Sequence, residues 1–179
     1  MTLRHLTRTE LEAGLESIRH SPSDAGVLEL IVSRPHPNAR EVLEHARLDP
    51  ATGLVGDSWG TRVSLPNPET QLNVMNARVI SLIAQDKARW PLAGDQLFVD
   101  LSLAEENLPP GSRIEIGGAV IEVSAEPHLG CGKFVERFGV DAMKFVNSTL
   151  GRQLHLRGIN ARVVHAGAVR VGDIARKRG

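Results

Sequence analysis

The only cysteine of the chain, Cys131, stands between two glycines in the stretch Glu126-Pro127-His128-Leu129-Gly130-Cys131-Gly132-Lys133-Phe134. A histidine precedes it by three residues and a lysine follows it by two. A thiol reacts as its thiolate, and nearby cations or free N–H groups favour that form. Cys131, Phe134, Val135 and Phe138 fall at i, i+3, i+4 and i+7, the spacing of one helix face. Ala119 to Val123, just upstream, alternates as a strand does. The pattern places a thiol on a loop at the entrance to a helix, where unpaired N–H groups and the helix dipole favour an anion. The alignment with Phe134 and Phe138 equally suits a small buried apolar cysteine. The flanking glycines argue against that, since glycine serves close backbone approach or positive φ. His128 is placed to donate to the thiolate or accept its proton, or else to satisfy a backbone carbonyl; spacing leaves both open. His128 and Cys131 make no zinc site, because two ligands fall short of four and the chain has no other cysteine.

The hairpin before the loop can be placed in register. Gly117-Gly118 is a two-residue connection of the kind that favours type I′ turns. Ile116 then faces Ala119, Ile114 faces Ile121, and Arg113 faces Glu122. One face collects Ile114, Ile116, Ala119, Ile121 and Val123. The other carries Arg113, Glu115 and Glu122, with Val120 as the exception. A slip of one residue would bury the charges, so the register is well determined. Past the cysteine helix, Gly139 is the expected C-terminal cap. Asp141 is the expected N-cap of a second helix, with Val140 and Phe145 as its hydrophobic staple and Gly151 as its end.

Upstream, Thr9 to His20 reads as a helix with Thr9 and Glu12 at capping-box spacing. It is expected to rest on the main body or on a second copy, which leaves a homodimer open. Val27 to Ser33 is a strand, and Glu41 to Leu48 is strand or helix. Gly53 to Asp57 is a loop with one buried anchor, and Leu65-Pro66-Asn67-Pro68 is a turn. In Gln71 to Ile83 the first half alternates and the second is ambiguous. Gln85 to Trp90 is a short helix ending before Pro91, and Leu97 to Leu101 is a strand. Leu154 to Val171 is strand chemistry bent at Gly158 and Gly167. Arg176-Lys177-Arg178-Gly179 is a basic tail, expected to be solvated and frayed. Many short strands with frequent Gly and Pro point to a mainly β fold, and closure into a β-barrel with a few short helices and an N-terminal helix protects its edges. The expected division is a helical extension over 1–23, a β-barrel domain over 24–173 and a tail over 174–179.

Composition narrows the function. The 21 basic and 21 acidic side chains cancel, so no overall field draws nucleic acid or an anionic membrane. With no tyrosine, 2 Trp and 4 Phe, stacking platforms for single-stranded nucleic acid are scarce. One cysteine allows no internal disulfide, which favours a reducing compartment. No apolar run approaches the ~18 residues that span a bilayer, and no secretory signal opens the chain. The expectation is a cytoplasmic protein with neither nucleic acid nor membrane as partner. The glycine-rich stretches match neither the P-loop nor the dinucleotide-binding pattern.

Several segments taken together, in order, resemble the MOSC domain, the module found at the C-terminus of molybdenum cofactor sulfurases and in stand-alone bacterial proteins. They are Gly53-Leu54-Val55-Gly56-Asp57, Arg78-Val79-Ile80-Ser81-Leu82-Ile83, Pro91-Leu92-Ala93-Gly94-Asp95-Gln96-Leu97, Glu106-Asn107-Leu108, Pro110-Gly111 and Ile116-Gly117. The cysteine stretch, Arg137-Phe138-Gly139, Arg157-Gly158-Ile159 and Val171-Gly172-Asp173 complete the set. The resemblance covers about Asp24 to Asp173 and implies a closed β-barrel. It further implies that Cys131 bears a persulfide sulfur or ligates molybdenum in a bound molybdenum cofactor (molybdopterin). Sulfur transfer or reduction of N-hydroxylated compounds follows as the activity, and a cofactor or sulfur carrier without turnover as the alternative. Cys131 and His128 are the catalytic candidates, with Cys131 also the metal ligand. Arg78, Lys133, Arg137 and Arg157, lying in the matched segments, are candidates for the cofactor's phosphate and pterin, because arginine offers bidentate donors. Asp57 and Asp95 each follow a glycine and suit turns; Asp57 is kept as a site candidate. The chain is too short for the pyridoxal-phosphate desulfurase domain of the larger relatives, so no pyridoxal phosphate is expected and sulfur or electrons would come from a donor protein. It also lacks the N-terminal β domain that helps hold cofactor in the mitochondrial reductases.

Overall fold

The structure, a computed structural model, describes residues 3–62, 64 and 66–179. In chain order its elements are α1 (Arg8–Ala13), α2 (Leu15–Arg19), β1 (Ala25–Ser33), β2 (Glu41–Leu43), β3 (His45–Asp49), β4 (Gly53–Leu54), β5 (Leu72–Asn76), α3 (Ala77–Ala84), β6 (Leu97–Val99), β7 (Arg113–Ile116), β8 (Ala119–Val123), α4 (Gly132–Phe138), α5 (Val140–Asn147), α6 (Thr149–Gln153), β9 (Ile159–His165), β10 (Gly167–Arg170) and β11 (Ile174–Arg178). Strands β11, β7, β8, β9, β5, β6 and β1 pair in that order, and β11 pairs again with β1, so the sheet closes into a barrel. Only β5 and β6 run parallel among these pairs. Closure removes the free edges that a seven-stranded open sheet would present. Strand β2 extends β1, and β10, β3 and β4 form a separate three-stranded sheet.

The strands of this barrel are apolar on both faces, for two reasons. Leu28, Ile31, Leu72, Val74, Leu97, Ile114 and Ile121 fill the interior. Leu30, Val32, Met75 and Phe98 point outward, against helical residues that include Leu11, Ile80, Phe134, Phe138 and Phe145. The continuous apolar run in β1 follows from this. Its pairing with β6 shifts register between Leu28 and Leu30, a bulge that exchanges the inward and outward faces midway. No helix of the described residues is long and apolar enough to cross a membrane.

The hairpin has the expected register, with Ile116 opposite Ala119, Ile114 opposite Ile121 and Arg113 opposite Glu122. Its turn differs: φ is positive at Gly117 (55°) and not at Gly118, the pattern of type II′ rather than I′. The ambiguous half of Gln71–Ile83 is helix, capped by Asn76, whose side chain accepts from the N–H groups of Arg78 and Val79. Residues Glu41–Leu48 are strand rather than helix, in two pieces, β2 and β3, separated at Glu44. Leu65 of the expected turn lies outside the described residues.

Five local expectations are corrected. The N-terminal capping box is Thr7 with Glu10, not Thr9 with Glu12, and the helix breaks at Gly14, which lies against Leu82. The segment before Pro91 is 3₁₀ rather than α and runs through that proline, from Lys87 to Ala93, with Asp86 and Gly94 as caps. Asp141 is not an N-cap: α5 begins at Val140, Asp141 accepts from the Arg8 N–H (3.1 Å), and Val140 is exposed and makes no staple. Gly151 does not end that helix but sits inside α6, where a Cβ would lie 2.4 Å from backbone oxygens of Phe145 and Val146. The basic tail is no frayed end. Residues Ile174–Arg178 form β11, whose alternate side chains carry charge outward while Ala175 is buried between β1 and β7.

Because β11 closes the barrel, deleting residues 174–179 is expected to abolish cooperative thermal unfolding and soluble yield. A circular dichroism melt checks this; a melting temperature equal to that of the full chain would mean the segment is dispensable.

Candidate functional site

Cys131 is the N-cap residue of α4, with extended backbone (φ −127°, ψ −175°). Its carbonyl accepts from the N–H groups of Phe134 (3.0 Å) and Val135 (3.1 Å). The apolar stripe begins one turn later: Phe134 and Phe138 are buried with ring centroids 5.0 Å apart, whereas Cys131 is exposed. The choice left open by spacing is thereby settled, since the cysteine stands just outside the helix and does not share its burial. Gly139, at φ 92°, caps the helix as expected. Partial burial pushes the thiol pKa up, but the backbone N–H groups of Phe134 and Lys133, then the charges of Arg157 and Arg137, outweigh it and hold the thiol below its ordinary value. A Cβ on Gly132 would meet nothing within 4 Å, so the space beside the thiol is open.

Two asparagines hold the cysteine loop. Asn147 on α5 accepts from the Gly130 N–H (2.8 Å) and donates to the Gly130 carbonyl (3.0 Å). Asn160 on β9 donates to the carbonyls of Glu126 (3.0 Å) and Pro127 (3.2 Å). Asn160 in turn accepts from Asn73 (2.6 Å), and Asn73 accepts from Arg34 (3.0 Å). Arg34, at the end of β1, is paired with Asp57: Nε donates to Oδ1 at 3.0 Å and Nη2 to Oδ2 at 2.9 Å, with both side chains at most 5% exposed. Arg34 Nη1 also donates to the Gly94 carbonyl (3.0 Å). Next along the chain, Asp95 Oδ2 accepts from Arg157 Nη1 (2.8 Å), while Arg157 Nη2 donates to the Ala93 carbonyl (2.9 Å) and its guanidinium lies over the Phe134 ring (5.1 Å).

Cations surround Gly94. A Cβ there would come within 3.4 Å of Arg40 Nη2 and 3.8 Å of Arg137 Nη1. Those two arginines direct their hydrogen bonds to backbone carbonyls, Arg40 to Pro91 and Ala39 and Arg137 to Leu92. Arg62 donates to Ser58 Oγ. Asp57 and Asp95, the carboxylates of this layer, are engaged by Arg34 and Arg157. Burial and then the charges of Arg137, Arg34 and Arg62 hold the Arg40 guanidinium below its usual pKa; burial and Arg34 do the same to Arg62. Crowded cations of this kind gain from an anion.

Of the sequence candidates, Cys131, His128, Arg137 and Arg157 come together here. His128 is nearly buried, with Nδ1 3.6 Å from Asp95 Oδ1, and no hydrogen bond joins it to Cys131 among the described residues. Lys133 is exposed on the first turn of α4. Asp57 is fully buried and serves Arg34, leaving no oxygen for a ligand. Arg78 is not brought to the site. It pairs with Asp100 (2.7 Å) and the Ser17 carbonyl (3.0 Å) and lines a separate groove with Gly14 and Ser81. Sequence reasoning missed Arg34, Arg40, Arg62, Asn73, Asn147 and Asn160. An arginine directly after the apolar strand β1 was the one available signal.

The MOSC domain family model matches residues 67–176, and the chain belongs to the MOSC domain family. No curated protein matches it. Its fold is similar to the crystal structure of YuaD from Bacillus subtilis (19% identity, 86% of this chain and 97% of that one, TM-score 0.63). It is also similar to YiiM from Escherichia coli (18% identity, 86% and 70% covered, TM-score 0.56) and to YiiM from Geobacillus stearothermophilus (12% identity, 87% and 75%, TM-score 0.59).

Two outcomes follow from this geometry. Alkylation of Cys131 in the folded, cofactor-free protein should reach half its maximal rate at lower pH than in the urea-unfolded chain, and Arg137→Gln should move that midpoint upward. Iodoacetamide kinetics followed by mass spectrometry measure it. Asp57→Asn leaves Arg34 buried without its counter-charge, which should lower stability by about 3–5 kcal/mol. Burial pushes the Asp57 carboxyl up, but hydrogen bonds and charge from Arg34 outweigh it and lower its pKa. Its stabilisation is therefore present above the unfolded carboxyl's pKa and lost as pH falls through the lowered one. Urea unfolding across acid pH should show that loss in the wild type and a smaller pH dependence in the variant.

Proposed function

We propose that the chain holds molybdenum cofactor at Cys131 and acts there in sulfur transfer or in the reduction of N-hydroxylated compounds, in the cytoplasm. One observation carries this reading. An exposed thiol of lowered pKa feels the charge of Arg137, one of three crowded arginines whose neighbouring carboxylates are already engaged. A soft thiolate suits molybdenum or a sulfane sulfur, and planar guanidinium groups suit a phosphate. The residues present fit the cofactor. When bound, it supplies the metal and its two-electron redox chemistry.

The chain's own part is to hold charge and exclude freedom. The N–H groups of Phe134 and Lys133 favour the anionic form of the Cys131 sulfur against the opposing effect of burial. Arg40, Arg62 and Arg137 take the phosphate, with Lys133 at the rim. Asn147 and Asn160 fix the loop, so the sulfur is presented in one place. In sulfur transfer, the Cys131 thiolate attacks the outer sulfur of a donor persulfide; the donor's S–S bond breaks, and the donor leaves as a thiolate. A carrier role without turnover is favoured by one feature: Cys131 is the only cysteine, so no second thiol of the chain can displace a sulfur held there.

Purified under reducing, cofactor-preserving conditions, the protein is expected to contain molybdenum or one extra sulfur on Cys131, both lost in Cys131→Ser. Each of Arg40→Gln and Arg137→Gln should weaken cofactor binding about tenfold, the loss of one charge-assisted hydrogen bond of ~1.5 kcal/mol. Metal analysis and intact-mass spectrometry decide it. Absence of metal and sulfur after supply of cofactor and donor would sink the reading. Turnover of an N-hydroxylated substrate with a redox partner would separate the enzyme from the carrier.

A further inference from the structure

Behind the cysteine loop lies a cavity of about 240 Å³, walled on one side by residues from Ser124 to Leu129 and on the other by His155, Arg157 and Asn160. The two nitrogens of His128 see different surroundings. Nδ1 is enclosed and faces Asp95 Oδ1 at 3.6 Å, and neither atom has another partner. Nε2 is not among the enclosed unpartnered atoms, and the ring, which lines the cavity, is 15% exposed.

Among the described residues, three enclosed side-chain atoms lack a partner. One is Arg157 Nε, which is a donor; the others are the facing pair His128 Nδ1 and Asp95 Oδ1, between which one proton, on Nδ1 or on Asp95, serves both. Burial raises the Asp95 carboxyl pKa and the charges of Arg157 and Arg34 offset only part of that rise, but Arg157 Nη1 donates to Oδ2 at 2.8 Å, the geometry of an ion pair. A carboxylate in that ion pair accepts at Oδ1 as well, so the proton belongs on Nδ1. Burial, then the charges of Arg157 and Arg34, push the His128 pKa well down, which keeps the ring neutral. A neutral imidazole protonated at Nδ1 has a bare Nε2. His155 repeats the pattern on the other wall: its Nδ1 lies 2.6 Å from the Leu103 carbonyl, which only accepts, so that nitrogen carries a proton too.

We infer that this cavity is a subsite for a small neutral molecule bearing N–H or O–H donors, with His128 Nε2 as its acceptor and Asp95 as the residue that positions His128. The volume holds roughly eight waters at ~30 Å³ each and is smaller than the ~300 Å³ at which pockets for drug-sized ligands begin. A primary amide or an amine on one small ring is the size and chemistry that fits. A donor on the ligand would meet the bare His128 Nε2, and an acceptor on it would meet Arg157 Nε, the enclosed donor left without a partner. The subsite lies behind the loop that carries the proposed thiol, yet its recognition chemistry needs no cofactor, and its test uses cofactor-free protein, so either idea can fail alone.

The experiment is nitrogen-15 NMR of the histidine side chains at neutral pH. Expected is a protonated Nδ1 and a bare Nε2 for His128, with benzamide shifting that Nε2 signal saturably while His20 stays put. In Asp95→Asn the single tautomer should give way to a mixture. If that variant does not fold, the wild-type tautomer and the benzamide titration still decide. A His128 protonated at Nε2, a charged ring, a bare Nδ1, or no shift with benzamide up to its solubility limit would overturn the inference.

Discussion

Arg34 and Asp57 form a buried ion pair on which the geometry around Cys131 depends. Moving two charges out of water is costly, and their attraction offsets that only when the remaining donors and acceptors are satisfied. Here they are. Asp57 takes Nε and Nη2 of Arg34, and further accepts from the backbone N–H groups of Arg34 (2.7 Å) and Trp59 (3.1 Å). The remaining guanidinium nitrogen of Arg34 reaches Asn73 and the Gly94 carbonyl. One side chain thus ties the end of β1, the loop after β4, β5 and the segment before β6. Through Asn73 and Asn160 the same chain of bonds reaches the carbonyls of Glu126 and Pro127, the start of the cysteine loop.

The electrostatics around the thiol divide into two kinds. Arg34 and Arg157 are matched by Asp57 and Asp95 and act as structure. Arg40, Arg62 and Arg137 are tied to carbonyls and a hydroxyl, which hold them in place without neutralising them. In the proposed role, fixed and unneutralised cations of this kind would serve as a preorganised anion receptor, because the cost of assembling like charges is met when the protein folds rather than when the ligand arrives. That division also explains why Arg78, equally basic and inside a matched segment, contributes nothing here: Asp100 neutralises it on another face.

What the sequence made legible was local. Period-two alternation with a glycine turn determined the β7–β8 register, because the alternative would have buried Arg113, Glu115 and Glu122. The glycine-flanked Cys131 and its helix were likewise readable, as was barrel closure in outline. What escaped was non-local. Nothing in the spacing of Asn73, Asn147 and Asn160 says that they bond across 87 or 17 positions of sequence. Nor does composition show that Arg34, beside two prolines, is buried against Asp57. The final strand was misread for a related reason: Arg176-Lys177-Arg178 looks like a solvated end until a strand on each side turns its charges outward.

The β1–β11 pairing joins Gly26 to Ala175, a loop of about 150 residues, and closing a loop of that length carries a large entropic penalty before any neighbouring contact can repay it. Completion of the cylinder is therefore expected late in folding. Until then the two unsealed margins are the part of the molecule most open to strand exchange with another copy. The architecture that seals the barrel's own edges in the finished molecule concentrates its kinetic vulnerability in a single seam.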